Sequence, residues 1–166
     1  MGAGKIIMFL GALLSILGTY VFAIYGVSPI VGSGIGFITN LPTLFDPAVA
    51  SAFEVATATP VWLYYILVVI FIIFLAAGVL QLIGIKSRIG AFIFSLFPLG
   101  VGLMFIFLVY TDFLGIRTAF FALFFIGEHF GNIFPFLVPL GDLALGTYLL
   151  VGGGALGIIS VFMERD

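Results

Sequence analysis

Residues 81–90 read QLIGIKSRIG, and the basic triplet Lys86-Ser87-Arg88 within them separates two long apolar runs. One run covers about residues 61–85 and the other about residues 89–110. A helix needs roughly 20 apolar residues to cross a hydrocarbon core of about 30 Å, and both runs are long enough. The triplet is therefore predicted to form the turn of a helical hairpin in a membrane.

The composition of the whole chain favours the same class of protein. Of its 166 residues, 64% are hydrophobic and 7% are charged, whereas a soluble domain has about 25% charged residues. Five basic residues and a net charge of −2 exclude a nucleic-acid-binding surface. The chain has no cysteine and one histidine, which excludes disulfides, thiolate metal sites and multi-histidine metal or haem sites built from this chain alone.

Two further apolar runs complete the predicted fold. The first is longer than the 7 to 15 residues of a signal-peptide core, so we expect it to remain as a membrane anchor. We predict an all-α integral membrane protein, a single transmembrane domain over residues 1–166, with four helices in two hairpins. The predicted spans are about 5–25, 61–85, 89–110 and 143–163, and the two long loops cover 26–60 and 111–142.

Both long loops are expected to contain a short helix at the membrane surface. Asp46-Pro47 combines an N-cap with proline at the first helical position and predicts a helix at about 47–57. Thr118 to Ile126 would rise only about 13 Å as a helix and would lie on the surface or re-enter. The alternative is a fifth span from Ile116 to Leu140, which would move the C-terminus to the outer side.

Small residues recur at helical spacing in three of the four predicted spans. Such stripes let another helix approach closely. In the third span, Pro98 is expected to introduce a kink, since proline removes a backbone hydrogen bond. The predicted helix-packing residues are Gly11, Ser15, Gly18, Ala91, Ser95, Gly102, Gly146, Gly153, Gly157 and Ser160.

The distribution of basic residues predicts the orientation in a cell membrane. If Lys86 and Arg88 are cytoplasmic, Lys5 and Arg165 lie on the same side and only Arg117 lies on the other. The positive-inside rule favours this arrangement, with both termini cytoplasmic and both long loops outside. Anionic lipid headgroups are the expected ligands of Lys86 and Arg88.

Glu128 and His129 are the only candidate constellation for chemistry. The charged residues all lie at span ends, in loops or at termini, which argues against proton pumps, ion-coupled transporters and voltage sensors. A histidine beside a carboxylate can relay protons, bond a quinone carbonyl or supply one metal ligand, with Asp112, Arg117 and Asp142 as possible neighbours. The alternative is a solvated loop dipeptide, and no motif indicates a cofactor, a metal site or a catalytic residue.

These observations favour a non-catalytic membrane subunit that packs against partner chains in a complex or a homo-oligomer. The small-residue stripes and the long, apolar outer loops are the reasons. One alternative is a small oligomeric channel using Pro98 and the glycine face of the last span. Another is a quinone-, haem- or metal-associated subunit of a respiratory-type complex that uses Glu128 and His129.

Overall fold

The structure is a computed structural model that describes residues 2–164, and the chain is mostly helical, at 72%. Arg165, which was predicted to be cytoplasmic, lies outside the described residues. A π-helical turn, Leu17–Val21, continues the first helix, and 3-10 turns continue the fourth (Gln81–Ile85) and the sixth (Leu123–Phe125). The α-helices are α1 (Ala3–Ile16), α2 (Gly34–Leu44), α3 (Pro47–Thr57), α4 (Val61–Leu80), α5 (Arg88–Tyr110), α6 (Gly115–Ala122) and α7 (Leu145–Val161).

Three helical segments are long and apolar enough to cross a membrane, as a membrane protein requires. They are Ala3–Val21, Val61–Ile85 and Arg88–Tyr110, with 19, 25 and 23 residues. The predicted hairpin around Lys86-Ser87-Arg88 is confirmed at the level of its two helices. The predicted fourth span at 143–163 contains α7, which has 17 residues.

The expectation of an all-α chain is wrong, because the loops contain short strands. Strands β1 (Tyr25–Val27), β2 (Ile30–Gly32) and β3 (Ile126–Glu128) form an antiparallel sheet in the order β1-β2-β3. A second ladder pairs β4 (Pro139–Leu140) with β5 (Leu143–Ala144). Backbone groups in apolar surroundings must be hydrogen-bonded, and these pairings satisfy the groups of the strand residues.

The two long connections fold onto each other. Strand β2 comes from the first and β3 from the second, with Ile30 opposite Glu128. The amide of Ala23 donates to the carbonyl oxygen of Phe136 at 2.9 Å, and the amide of Phe136 donates to that of Val21 at 2.8 Å. We call residues 22–60 and 111–144 together the loop layer.

A cluster of buried aromatic rings joins the loop layer to α4 and α5. The Phe125 ring lies against Phe37 of α2, Phe71 of α4 and Phe105 of α5, at centroid distances of 4.7, 5.7 and 5.1 Å. Each such pair contributes about 0.5–1.5 kcal/mol beyond its buried area. Much of the apolar character of the loops therefore serves the interior of the chain itself.

One predicted helix end is wrong, and one alternative span is not formed. The first span was expected to reach residue 25, but Phe22 is extended because its chain segment pairs with the Phe136 segment. The alternative fifth span from Ile116 to Leu140 is also excluded, because the helix ends at Phe125 and β3 follows. By contrast, the helix predicted at about 47–57 is present at Pro47–Thr57, and its first turn is capped by the Asp46 carboxylate, which accepts from the Ala48 amide. The helix α2 was not predicted.

The small residues of α7 face α1 and α5 within the same chain. A Cβ added at Gly11 would lie 2.8 Å from the carbonyl oxygen of Gly153 and 3.0 Å from the amide nitrogen of Gly157. A Cβ at Gly102 would lie 3.0 Å from the amide nitrogen of Val151. These distances leave no room for a side chain, so α7 lies in backbone contact with α1 on one side and α5 on the other.

The remaining stripe residues make similar close contacts. A Cβ at Gly18 would lie 2.8 Å from the carbonyl oxygen of Gly146 on α7. Ala91 is fully buried against Gly84 of the 3-10 turn. The Ser160 hydroxyl donates to the carbonyl oxygen of Gly157 at 2.6 Å. The α5 helix continues without interruption through Pro98, which is buried.

A small polar cluster lies among these helices. Gln81 is fully buried, and its Nε2 donates to the Ser95 hydroxyl at 3.0 Å. Ser95 in turn donates to the carbonyl oxygen of Ala91 at 2.5 Å. The Gln81 Oε1 and the Ser15 hydroxyl are buried without a hydrogen-bond partner. Gln81 lies next to Gly157 of α7, so its side chain is covered by that helix.

Replacing Gly153 with alanine should destabilise the chain by about 1–3 kcal/mol, because the new methyl group would meet backbone. Its Cβ would lie 2.7 Å from both the Gly11 carbonyl oxygen and the Ser15 amide nitrogen. The matched control is Gly100→Ala on α5, where nothing lies within 4 Å and the change should be neutral or stabilising by up to about 1 kcal/mol. Unfolding titrations of both variants in mixed detergent micelles measure the difference, and equal stabilities would contradict the packing described.

Candidate functional site

The predicted pair Glu128 and His129 lies at the end of β3, on the edge of the three-stranded sheet. The amide of His129 donates to the carbonyl oxygen of Pro29 at 3.0 Å, which holds the residue beside the β1–β2 turn. The following residues form a tight loop in which the amide of Asn132 donates to the carbonyl oxygen of His129 at 3.0 Å. Asn132 has a left-handed backbone, and its side-chain oxygen accepts a hydrogen bond from the Ser28 hydroxyl at 3.0 Å.

The His129 ring is buried, with 8% of its surface exposed, and neither ring nitrogen has a hydrogen-bond partner. Leaving a buried polar group unpaired costs about 1–3 kcal/mol. Such groups in a native protein call for an explanation, of which an absent binding partner is one. His129 is therefore the most unusual polar residue of the loop layer.

Glu128 does not pair with His129. Its side chain is exposed, whereas that of His129 is buried, and the lack of a partner on either ring nitrogen excludes a carboxylate–imidazole hydrogen bond. A proton relay through this pair is therefore not assembled. Among residues 2–164, no group of three or more histidine, cysteine, aspartate and glutamate residues is arranged to hold a metal ion.

Two cavities flank β3. One, of about 580 Å³, is lined by His129, Pro29, Ile30 and Phe130 together with the strand itself. The other, of about 400 Å³, lies between β3 and the helix α2. Both volumes fall in or near the usual range for small ligands or inserted side chains, about 300–1,000 Å³.

The second cavity is closed on one side by α2, which lies directly on β3. The Asn40 side chain donates to the carbonyl oxygens of Phe124 and Ile126 at 3.0 and 2.8 Å and so occupies the free edge of the sheet. A Cβ at Gly36 would lie 3.0 Å from the amide nitrogen of Gly127, so only glycine permits this approach. These contacts hold the strand that precedes His129.

Tyr25, the first residue of β1, connects the two halves of the loop layer. Its hydroxyl donates to the carbonyl oxygen of Ala122 at the end of α6. Burial raises the pKa of Tyr25, so the hydroxyl stays protonated and remains a donor. The sheet is thus tied both to α2 and to α6.

The other predicted site residues are placed separately. Arg117, on α6, and Asp142, after β4, line different cavities, and neither lines the cavity of His129. Asp112 is exposed in the segment before α6. Lys86 and Arg88 are exposed at the turn between α4 and α5, as residues that contact lipid headgroups would be.

Sequence patterns did not indicate three residues that organise this region. These residues are Asn40, Tyr25 and Pro29. Their partners, which are Ile126, Ala122 and His129, lie far away in the sequence, in the second connection. Asn40 carried a signal, since it is the one amide side chain within an otherwise apolar part of the first loop. Its partners could not be identified without knowing that β3 exists.

Replacing Asn40 with alanine should lower the free energy of unfolding by about 1–3 kcal/mol, because the carbonyls of Phe124 and Ile126 lose their donor. Amide hydrogen exchange at Ile126 and Gly127 should become faster in the same variant. Thr39→Ala is the control, since the Thr39 hydroxyl bonds only to the Gly36 carbonyl within its own helix. Similar exchange rates in the two variants would show that Asn40 does not hold the strand.

No family model, no curated protein and no solved structure matches this chain. Its function must therefore be inferred from its own residues.

Proposed function

We propose that this chain is a non-catalytic integral membrane subunit that binds a partner protein through the loop layer. In this proposal α1, α4, α5 and α7 are four membrane spans, the termini and Lys86-Ser87-Arg88 are cytoplasmic, and the loop layer lies outside. The partner covers the surface around His129. The observation that carries the proposal is the buried, unpaired imidazole of His129 beside a cavity with an apolar rim.

The rim of that cavity exposes large apolar side chains. Ile30 and Phe130, which line it, are 57% and 50% exposed. Val27, opposite Ile30 in the sheet, is 78% exposed, and Ile133 in the adjoining tight loop is 65% exposed. We call Val27, Ile30, His129, Phe130 and Ile133 the His129 patch. Contiguous exposed apolar groups around a concave centre are typical of protein interaction sites.

The charge of the loop layer indicates the chemistry of the partner. Arg117 is its one basic residue, while its acidic residues are all exposed. A partner with an apolar side chain for the cavity and a basic rim complements this surface. Two copies of this chain would bring like charges together, so a different protein is favoured. The acidic residues are Asp46, Glu54, Asp112, Glu128 and Asp142.

The small-residue stripes no longer support this function, since they are used between helices of the same chain. The same finding weakens the channel alternative, because the glycine face of α7 is occupied by α1 and α5 rather than open to a pore. The alternative of a quinone or metal site is also weakened, because that site needs the Glu128 carboxylate beside the imidazole and the two do not form a hydrogen bond. The His129 patch is the remaining feature that points to a binding role.

The partner is tested by purifying the full chain from its native membrane in mild detergent, with Ile30→Arg as the disrupting variant. We expect the wild type to migrate with one other protein in a fixed ratio, and Ile30→Arg to lose it, because a charge would enter the apolar rim. Raising the salt concentration should weaken retention, since charges guide the contact. Val55→Arg is the control, as Val55 is 86% exposed on α3 and lies outside the patch.

Two results would overturn the proposal. One is a wild-type chain that migrates alone or only with further copies of itself. The other is an Ile30→Arg variant that retains the partner as well as Val55→Arg does. His129→Leu adds a direct check: the isolated chain should be as stable as wild type or more stable, because an unpaired buried group is removed, while retention of the partner should fall.

The proposed orientation can be tested with single cysteines, since the chain has none of its own. Ser51 on α3, Ser87 before α5 and Glu164 near the C-terminus are exposed positions. In intact cells, a membrane-impermeant maleimide should label the Ser51→Cys variant and should label Ser87→Cys and Glu164→Cys only after lysis. Labelling of Glu164→Cys in intact cells would mean that α7 does not cross the membrane.

A further inference from the structure

A groove separate from the His129 patch runs between α4 and α5. Its inner lobe, of about 320 Å³, is lined only by apolar residues, among them Leu96, Gly100 and Met104 of α5. Gly100 is exposed, and a Cβ placed there would meet nothing within 4 Å. The missing side chain therefore leaves a notch on the outer face of the helix pair.

An outer lobe of about 300 Å³ continues the groove toward the loop layer. Both lobes share Leu67, Phe71 and Met104 as lining residues, so they adjoin. From Leu96 to Met104 the helix rises about 12 Å, which approaches half of a hydrocarbon core of about 30 Å. The groove thus extends from near the middle of α5 toward its loop end, over about the depth of one leaflet.

The outer lobe ends at a basic residue. Among the described residues that line it, Arg117 is the only charged one, and it is exposed on α6. Phe113, also in the lining, is 79% exposed, and aromatic side chains favour the headgroup level of a membrane. An apolar channel of one-leaflet depth with a guanidinium at its end matches an amphiphile with an anionic head.

We infer that this groove binds one membrane phospholipid with an anionic headgroup, with an acyl chain along Leu96, Gly100 and Met104 and its phosphate at Arg117. A lipid fits better than a partner helix. A helix is about 10–12 Å wide with its side chains, whereas an acyl chain is a single file of methylene groups that can enter the notch left at Gly100. This site is independent of the proposed contact at the His129 patch.

The test measures lipid retention on the full chain by native mass spectrometry in mild detergent. Phosphatidylglycerol and phosphatidylcholine with the same acyl chains are titrated separately. We expect one phosphatidylglycerol to be retained about tenfold more strongly than phosphatidylcholine, because both lipids offer Arg117 a phosphate but the choline group adds a cation beside the guanidinium. Glycerol phosphate, which has no acyl chain, should not displace it, and this distinguishes a lipid site from a simple phosphate site.

Two pairs of variants locate the site. Gly100→Leu should fill the notch and lower the retention of both lipids at least tenfold, whereas Gly90→Leu, on the same helix but outside the groove, should leave it unchanged. Arg117→Gln should remove the preference for phosphatidylglycerol, whereas Lys5→Gln, which changes a basic residue of α1 that lines neither lobe, should preserve it. Thermal unfolding checks that each variant is folded.

The inference is overturned if Gly100→Leu retains the lipids as well as the wild type does, or if Arg117→Gln and Lys5→Gln lose the preference for phosphatidylglycerol equally. It is also overturned if Gly100→Leu converts an oligomer into a monomer without changing lipid retention, because the groove would then hold a helix of another chain. Competition by glycerol phosphate at the concentration of the lipid would assign Arg117 to a free-phosphate site.

Discussion

The approach of α7 to α1 and α5 is the contact on which the helical part of the molecule depends. With glycine at positions 11, 153 and 157, backbone atoms of facing helices meet where a methyl group would clash. In a membrane there is little hydrophobic gain from joining two apolar helices, so close van der Waals contact must supply the stability. A helix of 17 residues with so many glycines is weak alone and is stabilised by its two neighbours.

The loop layer solves a different problem with different means. Its segments are too irregular to satisfy their own backbone groups, yet they lie among apolar side chains. The sheet between β2 and β3, the Asn40 side chain and the Tyr25 hydroxyl satisfy carbonyls and amides from the two connections together. The aromatic cluster around Phe125 then joins this layer to α4 and α5. His129 is an exception, because neither of its buried ring nitrogens has a hydrogen-bond partner.

Features with local signals could be predicted from the sequence. The hairpin around Lys86-Ser87-Arg88 follows from two apolar runs and a basic turn, and the α3 helix begins at Asp46-Pro47 because cap and proline are adjacent in the chain. The strands could not be predicted, since three-residue segments such as Ile30–Gly32 have no usable periodicity and depend on a partner almost a hundred residues away. The partners of the small-residue stripes could not be predicted either, because spacing identifies a packing face but not which chain covers it.

The pairing of β2 with β3 has a consequence for biosynthesis. Residues 30–32 are synthesised long before residues 126–128, and α7, which packs against α1, is made last. Until β3 and α7 are made, β2 therefore has an unpaired edge and the glycine face of α1 is uncovered. Strand edges of this kind invite pairing with other chains. The interval between the synthesis of α5 and that of α7 is therefore the one in which the nascent chain is most open to pairing with another chain.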